Sequence, residues 1–282
     1  YGSFQELLGD TQYVKSLVRY HVVNVGLRRN DFPFGALSDT TLSGDLLTIG
    51  FSGDSAVPRV NNYATVIRPD IQVVNGYIHY IDQMLRPIVY SSYEWLELRP
   101  EYSIFTQAME ITGLKDTFKL ENREEERQFP ANTLLVESDE VFNQRGITSI
   151  DDLKEAISPD RQDYENYTNR LYQFVAYHIL EGKRFLNSFE GQRSNYNTYG
   201  SSPVLMDATG IDIQINPGVE NFDTLITQND TTIIDYIKIK YDQSNVTTKN
   251  GAIHFIDHVM EVFTPKIGER TFRFYEEPII YE

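Results

Sequence analysis

The sequence predicts an α+β protein built from two copies of one module, and three observations support this. The boxes NGYIHYID (residues 75–82) and NGAIHFID (residues 250–257) agree at six of their eight positions. A Tyr-His pair lies upstream of each box, at the end of a helix-type apolar spacing. Period-two apolar alternation then follows. Helices first and strands afterwards favour an α+β fold over alternating βαβ units.

The helix before each Tyr-His pair is predicted from residues spaced i, i+3, i+4 and i+7. In the first copy these residues are Val14, Leu17, Val18 and His21. In the second copy they are Leu171, Phe174, Val175 and His178. This spacing places all four side chains of each copy on one face of a helix, so each face is expected to pack against a core.

Strands are predicted from short apolar runs and alternation. Residues 133–136 are expected to form a strand that leads into a helix capped by Ser138. Ile211, Ile213 and Ile215 alternate with polar residues, and residues 60–67 read as one strand. Each Asn-Gly predicts a hairpin turn into a strand, and the strand at residues 78–81 is expected to be buried on both faces.

The domain organisation follows from aligning the two copies. We expect module one at residues 1–92, module two at residues 98–266, and a tail or linker at residues 267–282. A long segment precedes the helix of module two, whereas about ten residues precede that of module one. Module one is therefore predicted to lack its N-terminal part. The alternating residues 271–275 are expected either to cover the open edge of its sheet or to lead into a further domain.

Composition excludes several classes of function. The formal net charge is -16, which disfavours nucleic acid and anionic lipid as partners. The chain has no cysteine, so disulfides, thiolate catalysis and cysteine metal sites are excluded. It contains no P-loop, no dinucleotide fingerprint and no nucleophile elbow. We therefore expect no enzyme activity and no cofactor.

The residues repeated in the two closing boxes are predicted to be structural. They are Asn75, Gly76, His79 and Asp82 in the first box, and Asn250, Gly251, His254 and Asp257 in the second. His79 and His254 are expected to be buried, hydrogen-bonded imidazoles near His21 and His178. A two-histidine metal site in each module is the alternative, since imidazole is the commonest ligand, but buried polar groups usually find hydrogen-bond partners.

A second candidate for a metal site is the pair His254 and His258. His254 and His258 stand i, i+4, which on a helix would place two ligands on one face. Module one has Gln83 at the position of His258, so the repeated element is not a ligand pair. The sequence therefore predicts no metal site.

Together these motifs resemble the fasciclin-type family. The resemblance rests on the closing boxes with the Pro that follows them, on the Tyr-His pairs, and on the front box at residues 133–142. In the front box, Glu137-Ser138 stand where Pro-Thr is typical. The resemblance implies compact α+β modules, a wedge of strands with helices along one side. It also implies roles in cell adhesion and matrix contacts, and, for the bacterial type, export or surface anchoring.

The resemblance also implies candidate binding residues. Some animal members resemble integrin ligands through the Tyr-His region and a Pro-Asp-Ile triplet. The positions that match are Tyr20, His21, Asp70, Ile71, Tyr177 and His178. Module two has Asn245-Val246 where module one has Asp70-Ile71, so it lacks the acidic residue. Pro-Asp is also a common turn sequence, and a structural turn is favoured here over an integrin-binding role.

The functional expectation is an extracellular or cell-surface interaction and adhesion module without catalytic activity. One alternative is a surface protein that binds glycans or nutrients through aromatics such as Trp95 and some of the 19 tyrosines. A second alternative is an enzyme with an unrecognised carboxylate site. The expected partner is a protein or glycan at the cell surface. The expected location is the cell surface or periplasm after export, with a lipid anchor in a segment outside this sequence as one option.

Overall fold

A computed structural model describes residues 2–51, 57–118, 131–189, 191, 193–209, 212–216, 225–228, 231–234 and 237–260. The chain divides into two compact units. The first contains residues 1–89 with the short segments 185–187 and 245–249, and the second contains the remaining residues.

Two helices open module one, and each begins at a side-chain cap. Helix α1 (Phe4–Gly9) is capped by Ser3, whose hydroxyl accepts a hydrogen bond from a backbone amide of the first turn. Helix α2 (Thr11–Tyr20) is capped in the same way by the carboxylate of Asp10. The predicted stripe is only partly correct, because Leu17 is buried but Val18 is exposed.

A five-stranded antiparallel sheet follows, in the order β1-β2-β3-β4-β5. Its strands are β1 (Gly35–Ala36), β2 (Thr48–Phe51), β3 (Pro58–Val60), β4 (Ala64–Val73) and β5 (Gly76–Ile81). The core of module one packs helix α2 on this sheet through Tyr20, Leu37, Leu47, Ile49, Val60, Ala64, Val66 and Leu85. Strand β5 lies at the end of the sheet.

Two predictions for this sheet were wrong. Residues 60–67 are not one strand, because the chain turns between β3 and β4 at Asn61 and Asn62, whose φ angles are +51° and +63°. Asparagine tolerates this left-handed conformation, which makes two in succession a turn signal. The second error is β5, which is not buried on both faces, since Ile78 and Tyr80 are exposed.

Module two begins with helices. They are α3 (Ser92–Glu97), α4 (Ser103–Ile111), α5 (Asp139–Asn143), α6 (Ile150–Ile157) and α7 (Arg170–Tyr177), with strand β6 (Asn132–Val136) between α4 and α5. The predicted strand at residues 133–136 and the Ser138 cap are both confirmed, since the Ser138 hydroxyl accepts from the Val141 amide. The apolar face of α7 is buried along its whole length, as predicted.

The chain after α7 consists of strands, of which β14 lies in a segment that belongs to the first unit. They are β7 (Ile179–Glu181), β8 (Ser194–Tyr196), β9 (Val204–Thr209), β10 (Asp212–Ile215), β11 (Leu225–Gln228), β12 (Thr231–Ile234), β13 (Ile237–Lys238), β14 (Val246–Thr248) and β15 (Gly251–Phe255). They form sheets in the orders β14-β15-β6-β7, β13-β10-β9-β8 and β11-β12. Strand β15 runs parallel to β6. Ile213 and Ile215 are buried, which confirms that alternation, while Ile211 lies outside the described residues.

Both modules thus have helices before strands, and the predicted α+β class is confirmed. The tail at residues 267–282, including the possible cover at residues 271–275, lies outside the described residues.

Candidate functional site

The tyrosine of each Tyr-His pair is fully buried and holds an asparagine in a left-handed turn. Tyr20 Oη accepts a hydrogen bond of 2.8 Å from Asn61 Nδ2, and Tyr177 Oη accepts one of 3.1 Å from Asn216 Nδ2. The φ angles of these asparagines are +51° and +48°. Burial raises the pKa of the Tyr20 phenol, so the hydroxyl stays neutral. The two tyrosines are matching fold elements.

The same asparagines also hold a neighbouring strand. Asn61 Oδ1 accepts from the Thr48 amide at 3.0 Å, and Asn216 Oδ1 accepts from the Leu205 amide at 3.1 Å. The distances agree to about 0.1 Å between modules, although only the tyrosine was recognisable as a repeated residue in the sequence.

The histidine of each closing box binds the loop that follows the Tyr-His pair. His79 Nε2 lies 2.9 Å from the Leu27 carbonyl oxygen, and His254 Nε2 lies 2.9 Å from that of Arg184. A carbonyl only accepts, so Nε2 carries the hydrogen in both. The amide of Asp70 donates to His79 Nδ1, which makes that imidazole neutral. Full burial of His254 lowers its pKa to about 4.

These placements change what was expected of the histidines. His254 is buried and hydrogen-bonded as predicted, whereas His79 is only partly buried. His21 and His178 bind other groups: Leu17 and Leu85 for the first, Phe174 and Glu137 for the second. Within the described residues, no cluster of three or more metal-binding side chains could hold a metal ion.

The Pro-Asp-Ile position of module one is a structural turn that module two also has. Asp70 and Asn245 are both left-handed, with φ angles of +62° and +64°. Asp70 Oδ1 accepts from the Arg29 amide at 2.7 Å, and Asn245 Oδ1 accepts from the Leu186 amide at 2.8 Å. Each side-chain oxygen does the same work, and the charge of Asp70 is not needed for it.

The aspartate at the end of each box holds the adjacent strand. Asp82 Oδ1 accepts from the Thr65 amide at 2.6 Å, and Asp257 Oδ1 accepts from the Lys238 amide at 2.7 Å. In each module the carboxylate therefore satisfies a strand amide. The predicted structural role of these residues is in keeping with this pairing.

The histidine of each Tyr-His pair is where the modules differ. In module one, His21 Nδ1 lies 2.7 Å from the Leu17 carbonyl oxygen, so this nitrogen carries the hydrogen. His21 Nε2 accepts directly from the Leu85 amide at 3.0 Å. The imidazole is therefore neutral and links helix α2 to the segment after the closing box.

In module two a carboxyl group stands between the corresponding partners. His178 Nε2 lies 2.7 Å from Glu137 Oε1, and the Met260 amide donates to the same oxygen at 2.8 Å. Met260 occupies the repeat position of Leu85, ten residues after the asparagine of its box. His178 Nδ1 donates to the Phe174 carbonyl, so Nε2 and the carboxyl share one proton.

The side chains of Glu137 and His178 are fully buried, so this is a bond of the interior. Sequence reasoning did not single out Glu137 as a functional position. The signal that could have found it was the departure of the front box, where a glutamate replaces the usual proline. A buried carboxyl requires a partner, and the nearest repeated polar residue was the Tyr-His histidine.

The asparagines of the two boxes have different surroundings. Asn250 is buried, its Oδ1 accepts from the Ser92 amide at 3.0 Å, and its Nδ2 donates to the Phe118 carbonyl at 3.1 Å. Asn75 is exposed. The partners of Asn250 all lie in the segment before the Tyr-His helix of module two.

The glycines that follow these asparagines differ in the same way. A Cβ on Gly251 would lie 2.2 Å from the carbonyl oxygen of Asn132 on strand β6, which excludes any side chain there. A Cβ on Gly76 would meet nothing within 4 Å, although its φ of +157° still favours glycine. Strand β6 therefore requires the glycine in module two only.

Two features bear on the alternative functions. The Trp95 ring lies 3.4 Å from the guanidinium carbon of Arg99 and contacts Tyr102 and Phe255, so it serves internal packing. An open pocket of about 480 Å³ is lined by Ala131, Asn132, Glu181, Gly182, Thr198 and Tyr199. Among the described residues of that lining, Glu181 is the one carboxylate, whereas glycosidase chemistry requires two.

Across the part of the chain that the structure describes, no helix combines the length and apolar character needed to span a bilayer.

The repeated hydrogen bonds define a tandem of two related α+β modules. The fasciclin domain model matches residues 2–87 and 100–262. The chain belongs to the fasciclin domain family, as the sequence predicted.

Several relatives share this domain. Human periostin is 32% identical over 119 residues, which are 42% of this chain and 14% of periostin. Rat stabilin-2 is 25% identical over 205 residues, or 71% of this chain and 14% of stabilin-2. Mouse stabilin-1 is 26% identical over 273 residues, or 93% of this chain and 9% of stabilin-1. The chain therefore corresponds to a small part of each relative.

A solved FAS1 domain pair from the insect cell adhesion molecule fasciclin I is also similar. The match covers 91% of this chain and 82% of the solved chain, with 16% sequence identity and a TM-score of 0.43.

Proposed function

We propose that this chain is an extracellular or cell-surface interaction module that supports adhesion and has no catalytic activity. The observation that carries the proposal is the use of the repeated polar side chains. Tyr20, His79, Asp70 and Asp82 each bond to an amide, a carbonyl or a turn asparagine of their own module, as do their counterparts. What the two modules share is thus a means of holding loops to strands, which supports a binding scaffold.

The family supports the same proposal, because its relatives include proteins of adhesion and the extracellular space. The partner we propose is a protein at the cell surface or in the matrix. A net charge of -16 disfavours nucleic acid by repulsion from phosphates. Export belongs to the proposal, while a bacterial origin, a periplasmic location and a lipid anchor stay predictions.

The proposal can be tested with the whole chain in binding assays. We would measure binding of the chain to a panel of purified extracellular-matrix and cell-surface proteins by biolayer interferometry. We would also measure its binding to a glycan array. The control is an acidic protein of similar charge without fasciclin modules. We expect saturable binding to a protein of the panel that the control does not show.

Two results would overturn the proposal. Saturable glycan binding without any protein binding would support the glycan alternative. Turnover of ester, phosphate or glycoside substrates that survives purification would show an enzyme.

The variant Asp70→Asn tests the acidic triplet, because it keeps the side-chain oxygen that the Arg29 amide needs and removes only the charge. Loss of protein binding in that variant would show that the acidic triplet is a binding element.

A further inference from the structure

Module one exposes apolar side chains that module two buries at the same repeat positions. The exposed residues are Val18 (57%), Val22 (41%), Ile78 (47%), Tyr80 (52%) and Met84 (48%). Their counterparts are Val175 (0%), Ile179 (0%), Ile253 (0%), Phe255 (4%) and Val259 (3%). We call the first five the uncovered positions. Exposed apolar side chains concentrated at equivalent positions indicate a surface that binds something.

In module two, the cover comes from the segment before the Tyr-His helix, residues 92–118 and 131–142. Strand β6 of that segment pairs with β15 in parallel, with Leu134 opposite Ile253. Tyr102 stacks on Phe255 with ring centroids 4.8 Å apart, and the Phe105 ring lies 5.3 Å from that of His178. A strand and the helices around it therefore bury these positions in module two.

The edge of the module one sheet is open where β6 would pair. Strand β15 pairs with β6 in parallel. Within the described residues, β5 has β4 as its neighbour and no second strand. An edge strand presents a row of amides and carbonyls that templates a further strand. With Ile78 and Tyr80 exposed on one face of β5, this edge is apolar as well as unpaired.

The box of module one also keeps side-chain chemistry that serves a covering segment. The side-chain amide of Asn250 accepts a hydrogen bond from Ser92 and donates one to Phe118, and both residues lie in the covering segment of module two. Asn75 is identical but exposed, and it does not have the left-handed φ that would make asparagine a turn requirement. Asn75 is therefore positioned to bind a segment of the same kind.

We propose that β5 and the uncovered positions of module one bind the front half of a fasciclin-type module. The occupant supplies an apolar strand like β6, added parallel to β5 with a leucine-type side chain opposite Ile78. It also supplies a helix like α4, whose aromatic and aliphatic side chains cover Tyr80 and Val18. The carbonyl that lies against Gly251 in module two is expected to lie against Gly76 in the complex.

A second copy of this chain would use the same surface differently. Two β5 edges related by a two-fold axis would pair antiparallel, and no helix would cover Tyr80. The parallel arrangement is favoured because the chain itself shows it, with the same box and the same Asn-Gly pair.

The test uses the full chain and a synthetic peptide of residues 103–138, which carries α4 and β6. We would follow amide hydrogen exchange in β5 by mass spectrometry while the peptide is titrated. We expect saturable protection, with exchange of the Tyr77–Tyr80 amides slowed at least about tenfold, as expected for amides newly protected in a sheet ladder.

Variants make the binding specific. Ile78→Asp and Tyr80→Asp should abolish the protection, and Leu98→Asp, at a residue of module two with the same 57% exposure as Val18, should not. Gly76→Ala is the sharpest variant. Its methyl group has free space in the chain alone, but it should meet the carbonyl of the added strand and abolish peptide binding. A peptide with Leu134→Asp should not bind.

Three outcomes would overturn the inference. The first is no effect of the peptide on β5. The second is a dimer in sedimentation that Ile78→Asp dissociates and that already protects β5, which would make a second copy the occupant. The third is faster β5 exchange after deletion of residues 266–282, which would make the tail the cover. None of these outcomes would overturn the proposed adhesion function, which is tested separately by the binding assays described above.

Discussion

The closing boxes of modules one and two have six identical residues of eight, yet one box lies at an exposed sheet edge and the other in a core. In β15 every residue is buried, whereas β5 alternates between partly buried and exposed residues. The histidine and the aspartate of the box bind the same kinds of backbone group in both modules, whereas the asparagine is buried in module two and exposed in module one. Burial is determined by what packs beside the strand, which in module two is strand β6 and its helices.

The Tyr-His histidines teach the same lesson for a single bond. His21 accepts directly from the Leu85 amide, and His178 reaches the equivalent Met260 amide through Glu137. The residue that makes the difference lies in the front part of module two.

The largest effect is expected for Glu137→Ala. It leaves His178 and the Met260 amide buried without their shared partner, and removing one member of a buried pair destabilises by about 3–5 kcal/mol. Urea unfolding monitored by Trp95 fluorescence would measure the change. Glu137→Gln, which keeps one oxygen acceptor, serves as the control and should lose less. A loss below about 1 kcal/mol for the alanine variant would contradict the assigned role.

The next largest effect is a difference in stability between alanine substitutions at the two box glycines, Gly251 and Gly76. Gly251→Ala places a methyl group 2.2 Å from the Asn132 carbonyl oxygen, so the β6–β15 pair must shift, at a cost of about 3 kcal/mol. Gly76→Ala meets no atom within 4 Å and should cost about 1 kcal/mol through its positive φ. Equal losses in thermal unfolding would show that β6 does not impose the glycine.

Acid should weaken module two through His254. Its pKa is lowered to about 4 in the folded state, from 6.5 in the unfolded chain. The unfolded chain therefore takes up the proton first, and the stabilisation is complete above about pH 6.5 and lost as the pH falls to about 4. The total is roughly 3 kcal/mol by linkage. His254→Gln should flatten the pH dependence of urea midpoints between these values.

The matched control for that experiment is His79→Gln. His79 makes the same bond to a loop carbonyl but is only partly buried, so this variant separates the loss of that bond from the loss of full burial. If both variants flatten the profile equally, burial is not the cause of the lowered pKa of His254.

The smallest effect is expected for Asp70→Asn. Module two already has Asn245 at this position with the same φ and the same bond, so the change in stability should stay within about 0.5 kcal/mol. Asp70→Ala removes the acceptor of the Arg29 amide and places alanine in a left-handed conformation, which should cost about 1–2 kcal/mol. Unfolding curves of both variants would show whether the charge or only the oxygen matters.

Much of the fold could be predicted because local patterns determined it. The Ser138 cap, strand β6, the buried alternation of Ile213 and Ile215, and the helix before each Tyr-His pair all follow from propensity and period. The turn at Asn61 was missed because strand-type residues such as Val60 and Val66 lie on both sides of it. Its signal was two consecutive asparagines, which favour the left-handed conformation.

The site was less predictable, because it depends on which segment lies beside which strand. The sequence placed His79 in a core by analogy with His254, and it could not show that strand β5 lacks a neighbour within the described residues. Val18 was assigned to a buried stripe by its spacing alone. In module two the equivalent residue, Val175, is buried. The spacing therefore identifies the face of the helix that can be buried, but it does not show whether another segment packs on that face.

The most direct test of the comparison is amide hydrogen exchange in the unmodified chain, β5 against β15. Both strands carry the same box, but within the described residues only β15 pairs with a strand like β6 and is fully buried. We predict that the β15 amides exchange only through global unfolding of their unit, while the β5 amides on the open edge exchange at least about a hundredfold faster. Equal, high protection of both strands would contradict the account, since it would mean that the edge of β5 is already covered.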